Sequence, residues 1–252
     1  MNLVLTNITN DIAMLTLNRP LKNNAFDGQM MQELTTAIHQ AEKNSAVKVI
    51  VLQGEGKHFS AGADLKWMQQ MAASDYAANK QDALLLAELL FTLSSCTKPT
   101  IAQVKGASYG GGIGLIAACD IAVAADSATF CFSEVRLGLL PAVISPYVVQ
   151  AIGMRMAKML FITGRIFTAD EALRINLIHH ITTFANLAAL TNEITTNICK
   201  LPQEAVAACK KLAQDVAFKP IDKKMLDLTA TLIAKRRQAK EAKALIAKFL
   251  SP

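Results

Sequence analysis

The sequence predicts an α/β core followed by a C-terminal helical segment. Over residues 1–184, short apolar runs typical of strands alternate with stretches of helical periodicity, whereas residues 185–252 show helical patterns alone. The chain has 252 residues, of which 52% are hydrophobic and 18% charged, so it can bury a large core and is not a disordered protein. We therefore expect a core domain over 1–184 and a helical region over 185–252.

The first predicted elements are a hairpin and a capped helix. Residues 2–7 and 12–17 are predicted to form two strands joined at Asn10 and Asp11, residue types that favour a tight hairpin turn. Asp27 then precedes a segment whose apolar residues recur at helical spacing, and an aspartate at that position is a good helix cap.

The next predicted strand is Val47–Leu52, which is apolar and mostly β-branched and is therefore expected to be largely buried. Pro99 closes the helical section that follows this strand. The remaining predicted elements are helices at about 64–72 and 76–96, strands at Thr100–Val104, Ile121–Ala124 and Thr129–Phe132, a mainly helical stretch from Ala151, and one strand near Leu177–Thr182.

The longest uncharged run, Leu137–Met154, has 18 residues, which is near the length of a membrane span. It contains Gly138, Pro141, Pro146 and Gly153, so a turn followed by a buried helix is the better prediction. The N-terminus shows no export signal, and the five cysteines include no C-x-x-C pair. We therefore expect a cytoplasmic protein with reduced thiols and no membrane partner. Only one close histidine pair is present, so we expect no metal site.

The net charge of +6 is concentrated near the C-terminus. Residues 210–252 carry 11 Lys and Arg against 4 Asp and Glu, a local charge of +7 that leaves the rest of the chain at −1. Such a segment can contact nucleic acid, a membrane surface or a phosphate-bearing ligand, although a solvated helix face is the usual explanation. The whole chain has only three tyrosines and one tryptophan to interleave with these charges, so we expect no nucleic-acid partner.

Five of the twelve glycines lie between Gly106 and Gly114, in KGASYGGGIGL. Glycines let backbone N–H groups approach a ligand closely, and a helix over Gly111–Ala118 would direct its first N–H groups at an anion. The cluster is neither a P-loop nor a dinucleotide fingerprint, and tight helix packing is its alternative explanation. A second loop, Gly56–Asp64, also leaves a strand and enters a helix. Together the two turns can place two N–H donors around one oxygen, which is an oxyanion hole.

Four motifs carry a resemblance to a known family. They are Asn18-Arg19-Pro20 with Asn24-Ala25, HFSAGADL at 58–65, KGASYGGGIGLIAACDIAVAA at 105–125, and FCFSEVRLGLLP at 130–141. In this order and spacing they resemble the crotonase superfamily, whose best-known members are enoyl-CoA hydratases and isomerases. The resemblance extends through residues 163–181, and the helical tail fits it less specifically.

The resemblance implies a crotonase-like spiral of ββα units over residues 1–184. It also implies that the helical region over 185–252 forms trimers or covers the active site as a lid, so that the protein is a homotrimer or a dimer of trimers. The implied partner is an acyl-CoA substrate. CoA then enters as part of the substrate, and the resemblance implies no other cofactor.

The resemblance also assigns site residues. In such enzymes two backbone N–H groups polarise the thioester carbonyl of the substrate, and they match Ala63 and Gly111 here. A catalytic glutamate of the family matches Glu134. The residues expected on the substrate-binding surface are Lys22, Ala25, Ala61, Asp64, Leu65 and Gly114.

Position 114 is where the sequence departs from the family pattern. The hydratases use two glutamates, and the first would stand two residues after Gly112, where this chain has Gly114. Glu134 must therefore act alone or with a partner from elsewhere, and burial beside an apolar acyl chain would raise its pKa. Asp120 is expected to be a structural carboxylate inside the core. For His58, packing of the loop and a chemical role are both open.

A finer resemblance concerns the segment SEVRLGLLPAVISPYVVQAIG at 133–153 together with GGGIGLIAACDIAVA. These are similar to bacterial methylglutaconyl-CoA hydratases, in which a small residue at the first glutamate position is usual. Such a substrate carries its own carboxylate near the reacting carbons, and Arg136 or Lys66 is the candidate counter-charge.

The sequence therefore favours an enoyl-CoA hydratase, a lyase that adds water to a 2-enoyl-CoA while an oxyanion hole holds the enolate. The expected substrate is methylglutaconyl-CoA or a similar branched acyl-CoA of leucine or fatty-acid breakdown. One alternative is a Δ3-Δ2 enoyl-CoA isomerase that uses Glu134 alone. The other is a CoA-ester binder with low activity.

Overall fold

The structure of the chain, a computed structural model, describes residues 2–250. Residues 1, 251 and 252, at the outer ends of the two expected domains, lie outside the described residues. The described chain forms two compact units, one that ends at Thr196 and one that begins at Asn197. This division lies C-terminal to the boundary at residues 184 and 185 that the sequence suggests.

The first unit contains two sheets. Its larger sheet has six strands in the order β1-β2-β3-β4-β6-β9, and the smaller has the order β5-β7-β8. In the larger sheet only the pair β1–β2 is antiparallel. The strands are β1 (Val4–Thr9), β2 (Ile12–Leu17), β3 (Val49–Gly54), β4 (Thr100–Val104), β5 (Ala107–Tyr109), β6 (Ile121–Ala125), β7 (Thr129–Cys131), β8 (Ile166–Thr168) and β9 (His180–Thr182).

Helices connect these strands and continue beyond them, which confirms the predicted α/β class and the helical C-terminal region. They are α1 (Gly28–Lys43), α2 (Leu65–Ala72), α3 (Tyr76–Ser95), α4 (Gly111–Ala118), α5 (Ser145–Thr163), α6 (Ala169–Arg174), α7 (Leu187–Cys199), α8 (Gln203–Val216), α9 (Lys223–Gln238) and α10 (Lys240–Leu250).

The N-terminal hairpin forms at the predicted turn, although its first strand is Val4–Thr9 and not residues 2–7. Thr9 pairs with Ile12, and the two residues between them, Asn10 and Asp11, have φ angles of 52° and 66°. Asparagine and aspartate tolerate this left-handed conformation better than other residues with side chains, and it matches the right-handed twist of the two strands. The predicted cap of α1 is also confirmed, because the Asp27 carboxylate accepts a hydrogen bond from Met30 N–H at 3.0 Å.

The central strands are buried on both faces, as near-continuous apolar runs in parallel sheets usually are. One polar row crosses them. Gln103 donates a hydrogen bond from Nε2 to Gln53 Oε1 at 2.8 Å, and Gln53 donates from its own Nε2 to Thr16 Oγ1 at 3.0 Å. These three residues are in register on β4, β3 and β2, so both amide groups form hydrogen bonds inside the sheet.

Two short strands, β5 and β8, were not predicted, whereas α6 lies in the stretch from Ala151 that was predicted to be mainly helical. Each strand has only three residues, too few to show an alternating pattern, and β5 lies inside the glycine cluster. In the uncharged run, α5 begins at Ser145, earlier than expected, and Gly153 with φ 75° interrupts it. Val148 and Ile152 of this helix are buried, as predicted. No helix within residues 2–250 is long and apolar enough to cross a bilayer.

The second unit consists of the end of α7 and of α8, α9 and α10. The α8 and α9 helices line a mostly apolar cavity of about 460 Å³. Arg236 joins the helices of this unit, because its guanidinium makes ion pairs with Glu204, at 3.0 Å, and with Glu241.

Candidate active site

The loop between β3 and α2 is held in place by a buried asparagine. Asn24 donates from Nδ2 to the carbonyl oxygens of Glu55 and His58, at 2.9 and 2.8 Å, and its Oδ1 accepts from Arg19 N–H at 2.9 Å. All of its side-chain groups are therefore used inside the protein, and Asn24 is 0% exposed. This network gives the loop a single conformation without regular secondary structure.

Ala63 lies at the end of this loop in a short parallel bridge to Phe26. Phe26 N–H donates to Gly62 O at 2.8 Å, and Asp64 N–H donates to Phe26 O at 2.9 Å. Because both neighbours of Ala63 bond to Phe26, the N–H of Ala63 itself points away from that residue. It has no acceptor among the described residues, so it is available to a ligand.

The second candidate donor is Gly111, the first residue of α4, and the predicted helix Gly111–Ala118 is confirmed. Gly110 precedes it with φ 48° and accepts the first hydrogen bond of the helix, from Ile113 N–H at 2.9 Å. The first N–H groups of a helix have no partner within it, and that of Gly111 has no acceptor in the described chain. A Cβ placed on Gly62 would lie 3.5 Å from Gly111 N, so the two loops touch.

Glu134 begins a turn of 3-10 helix after β7 and lines the same cavity as Ala63 and Gly111. Its Oε2 is buried and has no hydrogen-bond partner within residues 2–250. Burial raises the pKa of Glu134 above its ordinary value of 4.5, and its own backbone N–H offsets this only in part. A carboxyl group with a raised pKa is a suitable candidate both to accept and to return a proton.

Gly110 allows this carboxylate to lie against the start of α4. A Cβ on Gly110 would be 3.0 Å from Glu134 Oε1, and the φ of 48° is itself unfavourable for other residues. The glycine cluster therefore serves both close approach of Glu134 and exposure of the Gly111 N–H. The structure thus brings together the three residues that the sequence assigns to catalysis.

Gly114 lies one turn further along α4, outside the residues that line the cavity. A Cβ at this position would be 2.9 Å from Cβ of Ile144, closer still to its Cγ2, and 3.5 Å from Leu90 Cδ1. Ile144 is 2% exposed and does line the cavity. An isoleucine from the segment before α5 therefore fills the space that a glutamate at 114 would need.

The other expected substrate-binding residues lie in different surroundings. Ala61 and Leu65 line the cavity. Lys22 is exposed on a neighbouring turn and Ala25 is buried behind it, and neither lines the cavity. Ala61 N–H donates to Asn23 O at 2.9 Å, so this turn adjoins the Ala63 loop.

Asp64 is occupied by contacts inside the protein. Its Oδ1 accepts from Lys66 N–H at 2.9 Å and caps α2, and its Oδ2 forms an ion pair with Arg19 Nη2 at 3.0 Å. Although burial alone raises a carboxyl pKa, hydrogen bonds from Trp67 and Lys66 N–H and the charge of Arg19 hold the pKa of Asp64 below its usual value. The carboxylate therefore positions the loop and is not free for a substrate.

His58 packs the loop. Its Nδ1 accepts a hydrogen bond from Ala107 N–H at 3.0 Å, which requires the ring to be unprotonated there. Burial, together with the charge of Lys57, lowers the pKa of His58 and keeps the ring neutral. Of the two roles considered for His58, the structure thus shows the packing role.

Asp120 forms a structural contact, as expected, but it is half-buried and does not lie inside the core. Its Oδ2 accepts hydrogen bonds from Thr100 N–H at 2.8 Å and from Thr100 Oγ1 at 3.0 Å. These bonds tie the end of α4 to the start of β4, away from the residues that line the cavity.

The cavity has a volume of about 410 Å³. Its wall is mostly apolar, and Asp82 and Glu134 are the only ionisable side chains on it within the described chain. Neither Arg136 nor Lys66, the two candidate counter-charges, lines it. The apolar lining includes Phe26, Met31, Trp67, Met68, Leu86, Leu137, Leu139, Leu140, Val143 and Ile144.

Two features of this wall were not predicted from the sequence: the position of Ile144 and a hydrogen bond from Trp67 Nε1 to Asp82 Oδ1 at 2.8 Å. Both depend on contacts between segments that are distant in the chain, and no local motif marks them. Across residues 2–250, His, Cys, Asp and Glu side chains do not gather in groups of three or more that could hold a metal ion.

The chain is similar to known proteins of one family. A family model described as enoyl-CoA hydratase/isomerase matches residues 7–251 of the chain. A protein of Thermus thermophilus, provisionally named enoyl-CoA hydratase, is 32% identical over 215 residues, which cover 82% of this chain and 85% of that protein.

Solved structures are similar over nearly the whole chain. One is a protein of Legionella pneumophila with the provisional name enoyl-CoA hydratase/isomerase (crotonase), which is 48% identical with a TM-score of 0.94 and a coverage of 98% of this chain and 96% of that chain. Another is an enoyl-CoA hydratase of Shewanella pealeana, which is 38% identical with a TM-score of 0.95 and a coverage of 98% and 93%.

Proposed function

Because the chain belongs to the enoyl-CoA hydratase/isomerase family and is an enzyme of that family with a crotonase-like fold, we propose that it adds water across the double bond of a 2-enoyl-CoA thioester. One observation carries this proposal. The buried, unpartnered Oε2 of Glu134 shares a cavity with the two unpaired N–H groups of Ala63 and Gly111.

In the proposed reaction the thioester oxygen accepts hydrogen bonds from the N–H groups of Ala63 and Gly111. Glu134 takes a proton from water, and the hydroxide adds to the β-carbon of the substrate. The electron pair of the double bond moves to the α-carbon and the carbonyl, so that the two N–H groups hold an enolate oxygen. Glu134 then returns its proton to the α-carbon, which completes a syn addition with one carboxylate.

The pKa of Glu134 suits both transfers. Its elevation by burial lowers the free-energy cost of accepting the proton from water, and the carboxylic acid formed can return that proton to carbon. The family's first glutamate, which would stand at position 114, is not needed in this scheme, and Ile144 occupies its space.

For the acyl group we propose a branched 2-enoyl-CoA of leucine or fatty-acid breakdown. The motif similarity to methylglutaconyl-CoA hydratases supports the branch, and the isoleucine, leucine and methionine side chains of the cavity wall suit an apolar, branched chain. A carboxylate on that chain has less support, because neither Arg136 nor Lys66 lines the cavity. CoA is part of the substrate in this proposal, and no further cofactor takes part.

A Δ3-Δ2 enoyl-CoA isomerase is the second candidate. The observation that favours it is the single carboxylate beside the oxyanion donors, since an isomerase moves one proton from the α-carbon to the γ-carbon and needs no positioned water. A homotrimer or a dimer of trimers, and a cytoplasmic location, complete the proposal by resemblance to the family.

The test is hydration of crotonyl-CoA and methylglutaconyl-CoA, measured as loss of the conjugated thioester absorbance, by wild type and by E134Q. We expect activity on at least one substrate and a loss of about 100-fold or more in E134Q. The exposed Glu88 supplies the control E88Q, which removes a similar carboxylate outside the cavity.

Binding of a non-reactive CoA thioester should be retained in E134Q, which shows that the site is intact. No hydration of either substrate, with thioester binding intact, would refute the hydratase. A 3-enoyl-CoA assay on the same samples then distinguishes an isomerase from a binder without activity.

A further inference from the structure

One part of the cavity wall is formed by α2 and α3. Its polar groups include a carboxylate, which is unusual for an enzyme whose substrate has an anionic acyl group. Asp82 on α3 lines the cavity there, and its Oδ1 accepts the hydrogen bond from Trp67 Nε1 on α2. This leaves Oδ2 without a hydrogen-bond donor in the described chain. A carboxylate of fixed position therefore faces the cavity.

Trp67 fixes this position. A Cβ placed on Gly28 would lie 3.1 Å from the indole Cζ2 of Trp67 and 3.4 Å from Leu85 Cδ1. The indole therefore packs closely on α1, where the absence of a side chain at Gly28 makes room for it. No residue of α2 is fully buried, so this contact and the bond to Asp82 are important for holding the helix.

The remaining polar group in this part of the wall offers no free donor. Asn79 lines the cavity, but its Nδ2 donates to the carbonyl oxygens of Met71, Ser74 and Asp75 at 2.8, 3.1 and 2.9 Å. A substrate carboxylate needs donors or a positive charge, and the part of the cavity wall formed by α2 and α3 presents acceptors instead.

We propose that Asp82, held by Trp67, is a specificity-determining residue that excludes acyl groups carrying a carboxylate, so that the substrate has an uncharged acyl chain. This rests on the proposed function, because Asp82 lines the same cavity as Ala63, Gly111 and Glu134. Like charges disfavour one another strongly at short distance in a cavity with apolar walls, and the repulsion acts on binding and on turnover alike.

The experiment compares two thioesters, 3-methylcrotonyl-CoA and 3-methylglutaconyl-CoA. They share the methyl-branched double bond and differ only in one carboxylate. We expect kcat/KM of the wild type to be at least about tenfold lower for the methylglutaconyl thioester, and we expect D82N to narrow this ratio several-fold. Asparagine retains an oxygen for the Trp67 bond, so D82N removes the charge while keeping the contact.

The matched control is E88Q on the same helix, which removes a negative charge outside the cavity and should leave the ratio unchanged. A second measurement needs no variant. Raising the ionic strength screens the repulsion, and we expect it to narrow the ratio in the wild type.

The inference is overturned if the wild type prefers the methylglutaconyl thioester. It is also overturned if D82N and added salt both leave the ratio of the two kcat/KM values unchanged. Either outcome still supports a hydratase. Hydration of neither thioester, and none of crotonyl-CoA, would contradict the proposed function instead. The inference is then still tested by the Kd values of the two thioesters. We expect the methylglutaconyl thioester to bind at least about tenfold more weakly than the methylcrotonyl thioester.

Discussion

The side chain of Ile144 occupies the space that any side chain at position 114 would need. A Cβ on Gly114 would lie 2.9 Å from Cβ of Ile144, and Ile144 is 2% exposed. Protein interiors are close-packed, so a larger residue at either position would overlap the residue at the other. The site therefore has a single glutamate where the Ile144 side chain fills the space that a second glutamate, at position 114, would need.

The first prediction concerns this coupling. G114A should destabilise the fold by about 1–2 kcal/mol, because overlap with Ile144 outweighs the better helix propensity of alanine. I144A should cost about 2–5 kcal/mol through lost burial. The double variant should lose at least about 1 kcal/mol less stability than the two single variants lose together. The reason is that alanine at position 144 makes room for the methyl group of alanine at position 114.

Urea denaturation of the wild type, both single variants and the double variant measures this coupling energy. Strictly additive losses would show that Gly114 and Ile144 do not compete for the same space.

The second prediction concerns the contact between the two oxyanion loops. Gly62 has φ +84°, and a Cβ there would lie 2.8 Å from Tyr109 O. G62A should therefore separate the loops and lower kcat by about 100-fold, as loss of one oxyanion donor does. The measurement is kcat for whichever CoA thioester the wild type hydrates.

Gly153 provides the matched control for G62A. It also has a positive φ, +75°, but a Cβ there would meet no described atom within 4 Å. G153A should cost about 1–3 kcal/mol in stability through backbone strain alone and leave kcat within about twofold. Equal losses of kcat in both variants would mean that strain, and not loop separation, is responsible.

The third prediction concerns the Asp64–Arg19 ion pair, whose side chains are 8% and 17% exposed. D64N should destabilise the protein by about 1–2 kcal/mol at pH 7, because asparagine can still cap α2 but cannot form the ion pair. D64A should cost more, because it loses the cap as well. Guanidinium denaturation of both variants measures the two contributions.

The stabilisation that the Asp64 carboxylate provides should decrease at low pH. The pKa of Asp64 in the folded protein lies below its ordinary value of 3.8, so its stabilising contribution is present above pH 3.8 and is lost as the pH falls through the lowered pKa. The difference in stability between wild type and D64N should shrink over that range. A difference that stays constant down to pH 2 would contradict the assignment.

The fourth prediction concerns Glu134 and stability. Burial raises its pKa above 4.5, so the folded protein binds this proton more tightly than the unfolded chain does. The wild type therefore loses stability relative to E134Q as the pH rises from about 4.5 through the raised pKa, because a buried charge forms. Below pH 4.5 both states hold the proton and this difference disappears.

Stability curves of wild type and E134Q between pH 4 and pH 8 measure the effect, with E88Q as the surface control. A wild type that gains stability over E134Q with rising pH would show that Glu134 is solvated or paired in the folded protein.

Much of the fold follows from patterns between near neighbours in the chain. Asp27 caps its helix, the turn at Asn10 and Asp11 forms, and strand Thr100–Val104 has its predicted bounds. The strands Ala107–Tyr109 and Ile166–Thr168 were missed, because three residues pair only when a neighbouring strand is already in place. These two strands form only as part of the three-stranded sheet.

By itself, the sequence determined the α/β class, the glycine-rich helix start at Gly111 and the motif that contains Glu134. These depend on residue types and short spacings, which act locally on the backbone. Only the tertiary structure decided that Ile144 fills the space at Gly114 and that Asp82 faces the same cavity as Glu134. Such contacts join segments that are far apart in the chain, and local periodicity tells which face of a helix is apolar but not which side chain covers it.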